Sequence, residues 1–166
     1  MNKALCAAVS AVAAGAITAS TNLSAQSPPA NAAPCQGASY HQFDFWIGKW
    51  NVYAPDGTKV GENVIEPIAG GCALLENWTA AKGFSGKSLN SFDANDQQWH
   101  QTWVDSSGSR LDIAGTGGGG KMALASKTQR IAWTTNADGS VRQLWESWDA
   151  SKNAWVVAFD GRYVRT

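Results

Sequence analysis

Short runs of alternating apolar and polar residues fill most of the chain, and each run ends at a cluster of turn-forming residues. Such clusters include Pro55-Asp56-Gly57-Thr58, Asn136-Ala137-Asp138-Gly139 and Asp149-Ala150-Ser151-Lys152. Alternation with a period of two is typical of strands with one buried face, and Asp, Asn, Gly and Pro favour tight turns between them. About ten such runs follow one another at a spacing of roughly 8 to 12 residues, which predicts an all-β sandwich or barrel.

The connections between the runs are short, and this favours an up-and-down antiparallel meander. Closing the meander into a barrel removes the exposed strand edges. A barrel of about ten strands encloses more room than one of eight, whose side chains just fill the interior, so we expect a cavity. Ahead of the first strand, the stretch "SYHQFDFWIG" is the only part of the chain after residue 25 for which we predict a helical turn or two.

Alternation also separates the two faces of each predicted strand. In "QWHQTWVD", Trp99, Gln101 and Trp103 share one face, and His100 lies on the other. Across the strands, one face collects charged residues and the other collects rings, so the rings should point inward. In the last strand this rule places inside the barrel the residues Trp155, Val157, Phe159, Gly161 and Tyr163.

The predicted interior is aromatic but also polar. All nine tryptophans lie after residue 25, and each buries a large surface while keeping one N–H to satisfy. Glu76, Gln101 and Gln143 share the inward face with these rings. Because one unpaired buried polar group costs about 1–3 kcal/mol, three of them indicate an internal network, a wet cavity or a ligand. The predicted ligand-binding residues are Trp78, Trp99, Gln101, Trp103, Trp133, Gln143, Trp145, Phe159 and Tyr163.

Glu76 is the one candidate for a catalytic role. A carboxylate among tryptophan rings is desolvated, which raises its pKa toward the range useful for general acid–base chemistry. The alternative is a structural role, in which Glu76 bonds to Gln101 or Gln143 or pairs with an inward-reaching Arg110 or Arg142. Both interpretations remain open at this level.

The first 25 residues have the layout of a secretory signal peptide. Lys3 supplies one positive charge, and an uncharged run of small apolar residues follows it. The first choice for the cleavage site is after Ala25, and the second is after Ala32. This predicts an arm over residues 26–40, a single domain over residues 41–166 and a periplasmic or secreted location. Cys35 and Cys72 then remain as a candidate disulfide, unless Cys72 is simply a small buried core residue.

Four motifs, "FDFWIGKWNV", "GGCALLENWT", "SLNSFD" and "QTWVDSSG", occur in this order along the chain. Together they resemble a family of uncharacterised bacterial proteins, a domain of unknown function with a lipocalin-like (calycin) barrel. The resemblance covers roughly residues 41 to 166. It implies a short N-terminal helical plug that closes one end of the barrel, with a tryptophan packed across the base, and it implies no reaction.

A more distant resemblance is to the nitrobindin type of barrel, which holds haem through a histidine late in the chain. The only histidines here are His41 and His100, so nothing after residue 100 supplies an imidazole. We therefore expect no haem and no other cofactor. No zinc-ligand spacing and no serine nucleophile elbow is found in the sequence, so no metal is expected either.

Charge excludes two classes of partner. Removal of Lys3 with the signal peptide changes the formal net charge from 0 to −1, without a basic patch for nucleic acid or anionic lipid. No membrane insertion is expected after signal cleavage.

We expect a secreted barrel that binds a small apolar or aromatic ligand in a tryptophan-lined cavity. The alternatives are an acid–base isomerase, cyclase or lyase that uses Glu76, and a non-catalytic envelope protein that holds partners through Trp148 and Trp155.

Overall fold

Ten antiparallel strands close into a barrel in the computed structural model, which describes residues 34–166. The strands are β1 (Gly48–Tyr53), β2 (Lys59–Ile68), β3 (Ala73–Ala80), β4 (Ser85–Asp93), β5 (Gln98–Asp105), β6 (Arg110–Gly118), β7 (Lys121–Ala125), β8 (Gln129–Thr135), β9 (Val141–Asp149) and β10 (Ala154–Arg165). The predicted all-β, up-and-down barrel is confirmed. The predicted signal peptide, 1–25, and residues 26–33 of the predicted arm lie outside the described residues.

Each strand pairs with its neighbours in the sequence, and β1 closes the barrel by pairing with β10. At this seam Trp50 lies opposite Arg165. The turns between strands follow the chemistry of their residues: Asp56 Oδ1, for example, accepts a hydrogen bond of 2.9 Å from the backbone N–H of Thr58. Acidic side chains that bond to the backbone two residues later favour turns, which is why the sequence marks the strand ends well.

Two short 3-10 helices, Ala38–His41 and Asp44–Trp46, plug one end of the barrel, termed the closed end. Phe43 and Trp46 are completely buried and stack with their ring centroids 4.9 Å apart. The indole N–H of Trp50 donates to the backbone oxygen of Trp46 at 2.9 Å. The predicted N-terminal plug is therefore present. Among residues 34–166, no helix is long and apolar enough to cross a membrane.

The closed end of the barrel is a packed aromatic core. Phe43 meets Trp99 and Trp133 edge-on, with ring centroids 5.6 Å and 5.1 Å apart. Trp99 also donates its indole N–H to the backbone oxygen of Ser39 at 3.0 Å. Edge-to-face pairs of this kind contribute about 0.5–1.5 kcal/mol each beyond the burial of their surface, so the plug and the barrel wall stabilise one another.

A disulfide bond joins Cys35, just before the plug, to Cys72, in the connection between β2 and β3. A third 3-10 helix, Ala69–Gly71, forms this connection, and Gly70 there has a φ of 67°, a conformation that favours glycine. The two cysteines are separated by 37 positions in the sequence. Cys72 is therefore a disulfide partner of Cys35 and not simply a small buried core residue. The bond anchors the plug to the barrel wall.

A bulge in β10 reverses the faces of its first residues. The register with β9 shifts between Val157 and Phe159, so that Ala158 has no partner. One extra residue moves the side chains before it to the opposite face. Val157 is consequently 61% exposed, and Trp155 packs on the outer surface against Trp148. The predicted inward placement of Trp155 and Val157 is therefore wrong.

Removal of the disulfide is expected to destabilise the folded protein. In the chain-entropy description, cross-linking a loop of this length lowers the conformational entropy of the unfolded chain and raises its free energy by about 4 kcal/mol. The Cys35→Ala/Cys72→Ala variant should lose about 2–4 kcal/mol in the free energy of unfolding, measured by urea denaturation with tryptophan fluorescence. Dithiothreitol should produce the same loss in the wild-type protein and no change in the variant. Equal stability of the oxidised wild type and the variant would contradict the anchoring role.

Candidate functional site

A cavity of about 370 Å³ occupies the part of the barrel that the plug leaves free. It opens opposite the plug, at the end that carries the turns 81–84 and 106–109, termed the open end. Phe84 is 40% exposed and stands at the rim. The lining consists mainly of rings and aliphatic groups with a few polar side chains: Val60, Glu76, Trp78, Ala80, Phe84, Gln101, Trp103, Asp105, Leu111, Ile131, Gln143, Trp145, Phe159 and Tyr163.

The structure brings eight of the ten predicted site residues together around this cavity. They are Glu76, Trp78, Gln101, Trp103, Gln143, Trp145, Phe159 and Tyr163. Trp99 and Trp133 do not reach the cavity, because both lie at the closed end against Phe43. Trp99 and Trp133 therefore point inward without lining the cavity, since alternation identifies the inward face of a strand but not the depth of a residue along the barrel.

Three of the cavity rings lie over glycines of the barrel wall. The pairs are Trp78 over Gly61, Trp103 over Gly86 and Phe159 over Gly161. A Cβ atom on Gly61 would lie 2.8 Å from the ring of Trp78, so the ring occupies the space of the missing side chain. Rings held against the wall in this way line the cavity instead of filling it.

Hydrogen bonds fix two of the indole groups. The Nε1–H of Trp103 donates to Asp105 Oδ2 at 3.1 Å, near the open end. The Nε1–H of Trp145 donates to Gln129 Oε1 at 2.6 Å, and Ser147 Oγ donates to the same oxygen at 2.7 Å. Because a satisfied indole N–H does not need a ligand, these two rings are left to offer apolar surface.

The carboxylate of Glu76 lies at the inner end of the cavity, and the side chain is nearly buried, with 4% of the residue exposed. Asn63 Nδ2 donates to its Oε1 at 2.7 Å, and Ser88 Oγ donates to its Oε2 at 2.6 Å. The partners predicted from the sequence are therefore wrong. Arg110 bonds to Asp112 and Arg142 to Asp160, both on the outer face, and neither Gln101 nor Gln143 bonds to Glu76.

A network of polar side chains surrounds this carboxylate. Gln101 Nε2 donates to Asn90 Oδ1 at 2.7 Å, and Asn90 Nδ2 donates to Ser88 Oγ at 2.8 Å. On the other side, the hydroxyl of Tyr163 donates to Gln143 Oε1. Gln101 and Gln143 thus form part of the cavity lining and also support the buried polar layer.

Burial dominates the electrostatics of the site. Desolvation raises the pKa of Glu76 from its ordinary value of 4.5 to about 6, although the hydrogen bonds from Ser88 and Asn63 oppose this shift. Burial and the nearby charge of Glu76 raise the pKa of Tyr163 well above its usual range. The Tyr163 hydroxyl therefore stays protonated and can donate a hydrogen bond, whereas the Glu76 carboxyl group gains or loses its proton close to neutral pH.

Both histidines lie away from the cavity. His41 bonds to Asp44 in the plug, and His100 bonds to Asp96 on the outer surface, each at 2.8 Å. The ligand atoms of Asp93, Asp96 and His100 lie within 4.8 Å of one another, a grouping that sequence spacing did not suggest. We assign no metal there, because exposed acidic groups commonly cluster without an ion.

The outer rings form a small cluster of their own. Trp148 is 37% exposed and meets Trp155 edge-on, with ring centroids 5.6 Å apart. The guanidinium of Arg130 lies 4.4 Å from the centroid of the Trp155 ring and also pairs with Glu146. These two rings pack against one another and against Arg130, and they lie outside the cavity.

Sequence reasoning missed Asn63, Ser88 and Asn90, which hold Glu76 in place. In β4 the apolar residues Leu89 and Phe92 fall on opposite faces of the strand, so hydrophobicity does not mark which face is buried. Leu89 is in fact 48% exposed, while Ser88 and Asn90 are buried. The missed signal was the pairing of polar residues with Glu76 across neighbouring strands, which requires the register.

No protein-family profile and no curated protein matches the chain. The likeness to a lipocalin-like barrel therefore rests on the fold, a closed barrel of ten antiparallel strands. Membership of the uncharacterised bacterial family and the distant nitrobindin relation stay predictions from the sequence motifs.

Glu76 is expected to reduce stability as the pH rises. The carboxyl has a pKa near 4.5 in the unfolded chain and about 6 in the folded protein. Between these values the unfolded chain releases a proton that the folded protein keeps, so the free energy of unfolding falls with increasing pH. The contribution of the Glu76 carboxyl group to the free energy of unfolding is fully present below pH 4.5 and is lost as the pH rises through about 6. This contribution amounts to about 2 kcal/mol.

Urea denaturation of the wild type and of Glu76→Gln, from about pH 4 to about pH 8, measures this effect, because the other carboxyl groups cancel in the difference. The wild type should lose about 2 kcal/mol relative to the variant over this range. Glu66→Gln, at an exposed glutamate of β2, is the matched control for the substitution itself. If the wild type instead gains stability relative to Glu76→Gln as the pH rises, the hydrogen bonds from Asn63 and Ser88 lower the pKa of Glu76 by more than desolvation raises it.

Proposed function

We propose that this protein binds a small molecule in the aromatic cavity of its barrel. The observation that carries the proposal is the cavity itself, about 370 Å³ in volume and lined by Trp78, Trp103, Trp145 and Phe159 above the polar layer around Glu76. Ligand sites are typically concave, mostly apolar and equipped with a few fixed polar groups, with volumes of about 300–1,000 Å³. The size suits a ligand with one or two rings.

The geometry favours binding by a preformed site. The glycines beneath Trp78, Trp103 and Phe159 and the hydrogen bond from Trp103 to Asp105 hold the rings in place before any ligand arrives. A rigid site loses little conformational entropy on binding, which strengthens affinity for a given contact area.

The proposed location is the periplasm or the exterior of the cell. The signal-peptide layout of residues 1–25 supports it, and so does the bond between Cys35 and Cys72, since disulfides persist in oxidising compartments. The proposed partner is a small apolar or aromatic molecule. Neither nucleic acid nor membrane lipid is proposed as a partner.

Native mass spectrometry of gently purified protein, followed by denaturing extraction, tests for a resident ligand, and calorimetric titration with indole and 2-naphthol tests for binding. Ala80→Trp should block the cavity near the open end and weaken probe binding at least about tenfold. Ala132→Trp places the same ring on the exposed outer face of β8 and should bind like the wild type. An empty protein that binds neither probe, or equal effects of the two variants, would contradict cavity binding.

The pKa of Glu76 supports a second candidate function, acid–base catalysis on a small aromatic or carbonyl compound. A carboxyl group that borders a cavity and has a pKa of about 6 can both accept and return a proton near neutral pH. In such a reaction, Glu76 would remove a proton from a carbon of the substrate and return it at another position, as in an isomerisation. No further residue of the site is assigned to this chemistry.

Proton abstraction is tested by incubating the extracted ligand, or a panel of small aromatic ketones, with the protein in D₂O and following deuterium incorporation by NMR. Catalysis by Glu76 predicts exchange with the wild type and at least about a hundredfold slower exchange with Glu76→Gln. The variant should still bind indole and 2-naphthol in the calorimetric titration. If ligand binding persists and the wild type gives no exchange above buffer, the protein is a binding protein only.

A further inference from the structure

The charged groups of the cavity are all acidic. Glu76 lies at its inner end and Asp105 near the open end, and no lysine, arginine or histidine is among the lining residues within 34–166. The bonds from Ser107 and Trp103 lower the pKa of Asp105, so this carboxylate is ionised at neutral pH. An anionic ligand would meet two like charges, whereas a cationic ligand would meet two opposite charges.

The unoccupied polar positions of the cavity are mostly acceptors. Each carboxylate oxygen of Glu76 receives one hydrogen bond and can accept another. Both bonds of Gln101 use its Nε2 atom, and among residues 34–166 no donor reaches its Oε1 atom. The hydroxyl of Tyr163 already donates to Gln143. A ligand group with several N–H donors therefore suits this end of the cavity better than a carboxylate or a carbonyl.

The rings complete the same pattern. Trp78 and Phe159 lie edge-to-face with centroids 6.0 Å apart, and Trp103 lines the cavity beside them. Aromatic faces attract cations, most strongly where water is excluded. Aromatic walls around a buried carboxylate are a combination that recognises amines.

We infer that the ligand is an organic cation, a protonated amine on an apolar or aromatic body, with its ammonium at Glu76 and Gln101 and its body between Trp78, Trp103 and Phe159. The inference rests on the proposed binding function and names the chemical class of its ligand. A cation at Glu76 also compensates a buried carboxylate that has only neutral donors, Asn63 and Ser88, as partners.

Three probes with the same indole body test the charge directly: tryptamine is a cation, tryptophol is neutral and indole-3-acetate is an anion. Calorimetric titration of the whole protein at neutral pH should show tryptamine binding at least about tenfold tighter than tryptophol, and indole-3-acetate binding weakest. The series uses the wild-type protein, so its result does not depend on whether any variant folds.

Glu76→Gln provides the second arm. In this variant tryptamine should lose its advantage over tryptophol. Glu66→Gln carries the same change on the exposed part of β2 and should keep the wild-type order of affinities. An advantage for tryptamine that survives Glu76→Gln would overturn the assignment of the ammonium to Glu76.

The outcomes separate this inference from the function on which it rests. If tryptophol or indole-3-acetate binds as tightly as tryptamine, the cavity binds ligands but the cationic class is wrong. If a resident molecule is extracted and carries no amine, the inference fails in the same way. If no probe binds and no molecule co-purifies, the binding function itself fails and the inference fails with it.

Discussion

The width of a ten-stranded barrel leaves more interior space than its own inward side chains can fill. At the closed end, Phe43 and Trp46 of the plug supply the missing volume and pack against Trp99 and Trp133. Within the described residues, nothing comparable enters the other end, where the rings lie over wall glycines instead of crossing the lumen. The cavity is the remainder of a barrel that is plugged from one side, and its shape follows from where the plug stops.

A polar layer separates the packed core from the cavity, with Glu76 at its centre. Ser88 and Asn63 donate to the carboxylate, yet burial still raises its pKa to about 6. A barrel selected for stability alone would gain from an apolar side chain at this position, because buried charge is costly even when it is hydrogen-bonded. Positions that lower stability in an otherwise consistent fold are where function is expected. The cost of burying Glu76 is thus a physical reason to place the ligand's polar group there.

The sequence predicted the fold and most of the cavity lining because period-two alternation and turn residues are local signals. It does not reveal depth along the barrel axis, so alternation places Trp99 and Trp133 with the cavity residues although they pack at the closed end. It also missed Ser88, since exposed Leu89 masks the buried face of β4. The bulge at Ala158 is set by pairing with β9 and leaves no local mark. These errors concern relations between strands, which only the register determines.

The seam between β1 and β10 joins distant parts of the chain: Arg165 donates to the backbone oxygen of Ile47, 118 positions earlier, and lies 4.3 Å from the centroid of the Trp50 ring. Closing so long a loop costs conformational entropy before its contacts form, and folds built on distant pairs assemble slowly. The last strand therefore has to be present before the barrel can close. A nascent chain that still lacks β10 also lacks Phe159 and Tyr163, and so one side of the cavity lining.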